Sequence, residues 1–308
     1  MAKRILNMTP GELTKLSKEE CIAAIAGSEG RVIASETIGI VMPLLTDVTN
    51  AELAASMGAD MILLNMFDVR NPRILALPPV EAADTVREVK RLTGRLIGIN
   101  LEPVKEGSKT ENEETLWQMS VGRCATVENA VLAQRMGVDM IVLTGNPGNG
   151  VSNEAITDSL KAISAEIGDK IILAAGKMHA SGVIGEGGEN IITKEDVRLF
   201  AEAGADIILM PAPGTVPGIT TEYIRGLVSY AHSLGKLTIT SIGTSQEGAD
   251  VETIKRIALE CKMTGTDIHH VGDSGYVGMA LPENIMAYSV AVRGIRHTYH
   301  RMAQSVRR

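Results

Sequence analysis

Eight short aliphatic runs, each opened by a glycine, recur along the chain in two strictly alternating classes. Four follow a glycine, one residue and an aspartate: GADMILLN at 58, GVDMIVLT at 137, GADIILMP at 204 and GTDIHHVG at 265. The other four start from a glycine with a basic residue one or two positions on: GRVIASE at 30, GRLIGINLE at 94, GDKIILAAGK at 168 and GKLTITSIG at 235. Glycine at such points is what a helix C-terminus needs, because the residue past the last turn commonly adopts a left-handed conformation. Each motif therefore predicts a helix end, a short connection and a strand start.

The segments feeding these glycines, NAELAASMG, VENAVLAQRMG, KEDVRLFAEAG and VETIKRIALECKMTG among them, have helical spacing, and a last helix is expected from Pro282. Eight near-continuous apolar strands alternating with eight helices are those of a parallel sheet covered by helices. The fourfold repeat of two strands and two helices points to closure, an α/β fold of the (β/α)8 TIM barrel type over residues 30–308. Residues 1–29 carry helix-start signals at Thr9-Pro10-Gly11-Glu12 and Ser17-Lys18-Glu19-Glu20, and are expected as an N-terminal helical extension.

The chain has 308 residues, 44% hydrophobic, 22% charged and only 3% aromatic, so aliphatic side chains must form its core. A net charge of −7 gives no nucleic-acid footprint, and the arginines at 293, 296, 301, 307 and 308 are expected on a solvated helix face and tail. Cys21, Cys124 and Cys261 form no CxxC pair, which favours a reduced compartment. No apolar run reaches the ~18 residues that span a bilayer, and no signal-peptide core follows the start. A cytoplasmic homo-oligomer with no nucleic-acid or membrane partner is the expectation.

Helix-to-strand connections are expected to be one or two residues long. Strand-to-helix segments are long at 65–78, 101–125, 176–193 and 211–219. Spare chain thus lies on the C-terminal rim, where barrel enzymes build their sites, and 101–125, with Trp117, reads either as a lid or as a plain excursion.

Strand tips supply the candidates. Lys177 ends a largely apolar strand, where desolvation suits a lysine to Schiff-base chemistry, proton transfer or anion binding. Alternation puts Asn100 and Glu102 on one face, and Ala175 and Lys177 on one face, both taken as the barrel interior. Glu36 and Glu102 are expected as an acid–base pair or, with Asp273, as ligands of a divalent cation such as Mg; ion pairing with Lys177 or Arg70 is the bland alternative. Adjacent strand histidines face opposite ways, so His270 is expected inward as a catalytic candidate, and His269 toward the helices. Asn65, Asn100, Thr144, Asn146 and His179 are candidate substrate-binding residues. The glycine-rich turns after strands seven and eight, with Gly243, Thr244, Ser245, Gly272, Ser274 and Gly275, are expected to grip an anion through backbone NH groups, although Asp273 would repel a phosphate.

Over residues 30–305, the segments GADMILLNMFDVRNPR, LTGNPGNGVSNE, AAGKMHASG and HHVGDSGYVG resemble an uncharacterised bacterial TIM-barrel family often labelled phosphoenolpyruvate phosphonomutase-like. The chain lacks that superfamily's lysine-cysteine-glycine-histidine type of loop and its paired aspartates for magnesium. The resemblance therefore implies a fold and not a reaction. The leading expectation is an enzyme acting on a small phosphorylated or carboxylated metabolite, an isomerase or epimerase or a carbon–carbon lyase. Alternatives are a metal-dependent hydrolase or lyase built on Glu36, Glu102, His270 and Asp273, and a barrel that binds a metabolite for regulation without catalysis.

Overall fold

The computed structural model describes residues 3–104, 119–145, 150–180, 185 and 187–308. Eight parallel strands close into a barrel in sequence order: β1 (Val32–Ile38), β2 (Met61–Asn65), β3 (Leu96–Leu101), β4 (Met140–Leu143), β5 (Ile172–Gly176), β6 (Ile207–Pro211), β7 (Leu237–Ile242) and β8 (Ile268–Val271), with β8 pairing β1. Helices α1 (Pro10–Leu13) and α2 (Lys18–Ala26) precede the barrel. The outer ring is α3 (Asn50–Ser56), α4 (Thr85–Thr93), α5 (Val127–Met136), α6 (Asn153–Ile167), α7 (Lys194–Ala203), α8 (Thr221–Ser233), α9 (Val251–Thr264) and α10 (Pro282–Ala303). None of the described helices is long and apolar enough to cross a membrane.

Of the eight motif glycines, all but Gly168 have positive φ, and Gly94, Gly137, Gly204 and Gly265 are left-handed helix caps. Gly168 caps α6 in a right-handed conformation instead. From α3 onward the helix-to-strand connections run from two residues (94–95) to four (57–60), longer than the one or two expected.

The aspartates of the repeat have one shared task. Asp60, Asp139, Asp206 and Asp267 each accept, through Oδ2, the backbone NH of a residue on the preceding odd strand: Ile33, Ile97, Leu173 and Thr238, at 2.8–2.9 Å. They satisfy NH groups at the closed end of the barrel that the ladder leaves over. Each also meets a cation or an imidazole: Lys90 for Asp139, Lys18 for Asp206, His232 for Asp267, and both Arg293 and Arg301 for Asp60. Arg293 and Arg301 are buried, which corrects the expectation of a solvated face: an exposed-looking basic helix is folded onto a buried carboxylate.

Side chains alternate between two apolar clusters. The barrel interior holds Val32, Ala34, Met61, Leu63, Leu96, Met140, Val142, Ile172, Ala174, Ile207, Leu209, Ile239 and Ile268. Ile5, Met8, Leu13, Cys21, Ala24 and Ile25 join that same cluster, so the N-terminal helices plug the barrel floor. Both start at capping boxes, Thr9 with Glu12 and Ser17 with Glu20. The other strand faces, from Ile33 to Val271, pack beneath the helices. His269 lies on this outer side, bonded to the Tyr288 hydroxyl (3.1 Å) and the Gly30 carbonyl (3.0 Å).

Candidate functional site

With the floor plugged, the barrel opens only toward the ends of its strands, where inward parity brings polar side chains above the last apolar layer. A cavity of about 340 Å³ lies there, lined by Glu36, Asn65, Met66, Asn100, Glu102, Arg123, Thr144, Gly145, Met178, His179, Gly243, Ser245, Glu247, Asp273 and Gly275.

A continuous hydrogen-bond chain crosses it. Asn100 Nδ2 donates to Glu36 Oε1 (2.6 Å) and to Asn65 Oδ1 (3.1 Å), and Asn65 Nδ2 donates to Asp273 Oδ2 (2.7 Å). The Gly275 NH donates to Asp273 Oδ1 (2.8 Å) and the Ser274 NH to Glu247 Oε1 (3.1 Å). Below this layer, Ser241 Oγ is 2.5 Å from His270 Nδ1, and His270 Nε2 is 3.7 Å from Glu36 Oε2. That last separation is too long for a hydrogen bond.

Burial sets the charges. It pushes the Glu36 carboxyl well above the usual carboxylate range, with the charges of Asp273 and Glu247 adding to the effect against the Asn100 hydrogen bond. Burial raises Asp273 as well, and raises Glu247 with the help of Asp273. It drives His270 down to about 4. Burial thus favours the neutral form of both Glu36 and His270 over an ion pair. His179 is lowered by burial and by the nearby Lys177 charge.

Backbone strain concentrates here too. Met66, Ser245 and Ser274 have φ of 57°, 78° and 55°, a region that costs a residue with a Cβ on the order of 1–3 kcal/mol and is typical of functional sites.

Several expectations meet the cavity. Glu36, Glu102, Asn65, Asn100, Thr144, His179, Gly243, Ser245, Gly275 and Asp273 line it. His270 is inward but beneath the floor, 1% exposed. Asn146, Trp117 and residues 105–118 of the expected lid lie outside the described residues.

Others are corrected. Lys177 is buried and is not among the lining residues. On β5 it is Ile172 and Ala174 that face the interior, while Ala175 packs toward the helices, so the face shared by Ala175 and Lys177 is the outer one. Glu36 and Glu102 take different partners rather than forming a pair. Glu36 holds Asn100, Glu102 forms a buried ion pair with Arg123, and Arg70 bonds Asn129. Among the described residues no three His, Cys, Asp or Glu side chains converge to hold a metal, so Glu36, Glu102 and Asp273 do not form the expected ligand set. The eighth turn is not an open anion grip either: the Ser274 and Gly275 NH groups are taken by the chain's own carboxyls. Thr244 turns aside to the Thr215 carbonyl (2.7 Å), and Gly272 and Ser274 are not among the lining residues.

Five lining residues were missed in the sequence, Met66, Gly145, Met178, Glu247 and Arg123, the last two of them ionisable. Glu247 sits in a short 3-10 turn after β7. Arg123 is placed because the returning loop pairs with the end of β3, Glu102 bridging Cys124 and accepting the Ala125 NH. Neither has a periodic signal; a carboxylate inside the glycine-rich SQEGAD turn was the one visible hint.

A family profile described as "Domain of unknown function (DUF7916)" matches residues 6–308. No match was found among curated proteins. Solved structures of similar fold include Rhizobium etli pyruvate carboxylase T882A with the allosteric activator acetyl coenzyme A, 14% identical, TM-score 0.54, over 96% of this chain and 30% of that one. The carboxyl transferase domain of the Rhizobium etli enzyme with 3-bromopyruvate is 14% identical, TM-score 0.53, over 95% of this chain and 51% of that one. A 2,3-dimethylmalate lyase of the PEP mutase/isocitrate lyase superfamily is 13% identical, TM-score 0.50, over 83% and 80%. The chain spans about half or less of the length of the two pyruvate carboxylase chains, and all three likenesses are of fold.

Proposed function

The chain belongs to the DUF7916 family, whose description names no reaction, and from its rim we propose an enzyme that moves protons on a small metabolite, as an isomerase, an epimerase or a carbon–carbon lyase. The observation that carries this reading is Glu36: buried, its carboxyl pushed by burial well above the usual carboxylate range, oriented through Oε1 by Asn100, and lining a cavity of metabolite size. A carboxylic acid kept neutral at pH 7 donates its proton to a substrate oxygen or carbon, and the resulting carboxylate is stabilised by the Asn100 amide. Isomerisation and retro-aldol cleavage both need a proton placed or removed beside a carbonyl, so one such group serves either.

Lys177 has no part in this reading, and no step passes through a cation. A barrel of the same fold is named a 2,3-dimethylmalate lyase, and lyase chemistry is at home on such a rim. The test is proton exchange in D2O over a panel of small hydroxy and keto compounds, read by NMR as loss of C–H signal. Wild type is expected to wash deuterium into at least one of them, and Glu36→Gln to do so about 10²-fold more slowly or less. Equal exchange in the two proteins would remove Glu36 from the role.

A further inference from the structure

The turns after β7 and β8 are where an anion grip was expected, and their chemistry is inverted. Glu247 reaches back from the seventh turn to take the Ser274 NH, and Asp273 takes the Gly275 NH. Two NH donors that could have met an anion are therefore capped by carboxyls, and an incoming phosphate or carboxylate would find acceptors facing it. Arg123, the arginine of the cavity wall, is held by Glu102.

Two oxygens of the wall are left able to accept hydrogen bonds. Glu247, a residue of the cavity wall, is 4% exposed, and its buried Oε2 has no partner. Across the cavity, Thr144 is 3% exposed and its Oγ1 has no partner. A buried polar oxygen without a partner costs about 1–3 kcal/mol, which a ligand donating to it recovers. The Asp273 charge raises the Glu247 carboxyl, and a positive group between them turns that repulsion into attraction.

We propose that the turns after β7 and β8 form an ammonium subsite: the substrate carries a protonated primary amine, placed against Glu247 and Asp273, while its reacting carbon faces Glu36. The inference rests on the acid–base reading of the rim and narrows its substrates to small hydroxylated or carbonyl-bearing amines. A protonated amine has three N–H donors, enough for Glu247 Oε2 and an Asp273 oxygen with one to spare.

Matched two-carbon probes test it: ethanolamine, ethylene glycol and glycolate each carry one hydroxyl and differ in the charge at the other end. Binding is followed by NMR on the full chain. Ethanolamine is expected to bind at least about tenfold more tightly than ethylene glycol, a difference of ~1.4 kcal/mol, and glycolate more weakly still. Glu247→Gln and Asp273→Asn keep acceptors for the Ser274 and Gly275 NH groups, and each is expected to erase the preference for ethanolamine while thermal melting stays cooperative. Tighter binding of glycolate, equal binding of all three, or no binding of ethanolamine would overturn the subsite. Because binding needs no turnover, amine preference without deuterium exchange would sink the acid–base reading and spare the subsite, and the converse result would do the reverse.

Discussion

His270 Nε2 lies 3.7 Å from Glu36 Oε2, and both residues are buried inside the barrel, Glu36 at the wall of the cavity. Two ionisable groups this close inside a protein would ordinarily exchange a proton and attract. Here burial favours the neutral form of each, and Ser241 at 2.5 Å fixes the ring through Nδ1.

The imidazole of His270 is therefore expected to stay neutral through the physiological range. Its folded value, about 4, is below its ordinary one, so the stability it contributes is present above the ordinary value and is lost as pH falls through it toward about 4. Nitrogen-15 shifts of the ring measured from about pH 8 down to about pH 5 should show a constant neutral tautomer. A midpoint near the ordinary histidine value would contradict this.

For Glu36 the sign is opposite. Its folded value is raised, so its contribution is complete below the ordinary glutamate value and is lost as pH rises through the raised one. Wild-type stability should decline as pH rises above the ordinary glutamate value, and Glu36→Gln, which retains an acceptor for Asn100, should flatten that decline. Urea unfolding at a series of pH values reads both curves.

Asp60 stands between Arg293 and Arg301, at 2.5 and 2.7 Å, with Arg95 also close by. Asp60→Asn leaves these buried guanidinium groups without their counter-charge, and a loss of about 3–5 kcal/mol is expected in chemical denaturation. Its carboxyl is held below the usual aspartate value, so this stability is lost only as pH falls through that lowered value.

Gly176 ends β5 where a Cβ would sit 1.9 Å from the Leu209 carbonyl oxygen of β6. Gly176→Ala must push the two strands apart. A destabilisation of at least about 1–3 kcal/mol is expected, read as a lower unfolding midpoint.

The barrel was legible because its signals are local. Seven of the eight motif glycines have the positive φ that glycine readily adopts, and the strands are apolar on both faces because both are covered. That same uniformity hid the facing of β5: in ILAAG every residue is small or apolar, so alternation offered no clue to which face is inner. Lys177 was assigned to the interior on its chemistry, and the parity of Ala175 places that face outward. Glu36, Asn100 and Asp273 could be read as strand-tip residues; that Asn65 and Asp273, 208 positions apart, share a hydrogen bond could not.

Residue order alone determined the closed parallel barrel and the rim on which its polar groups gather, since helix caps and strand periodicity act over a few neighbouring residues. Tertiary structure alone decided which carboxyls are neutral, that the Ser274 and Gly275 NH groups are already taken, and that Glu102 belongs to Arg123. Charge state and hydrogen-bond ownership depend on burial and on partners from distant strands, and these exist only once the barrel has closed.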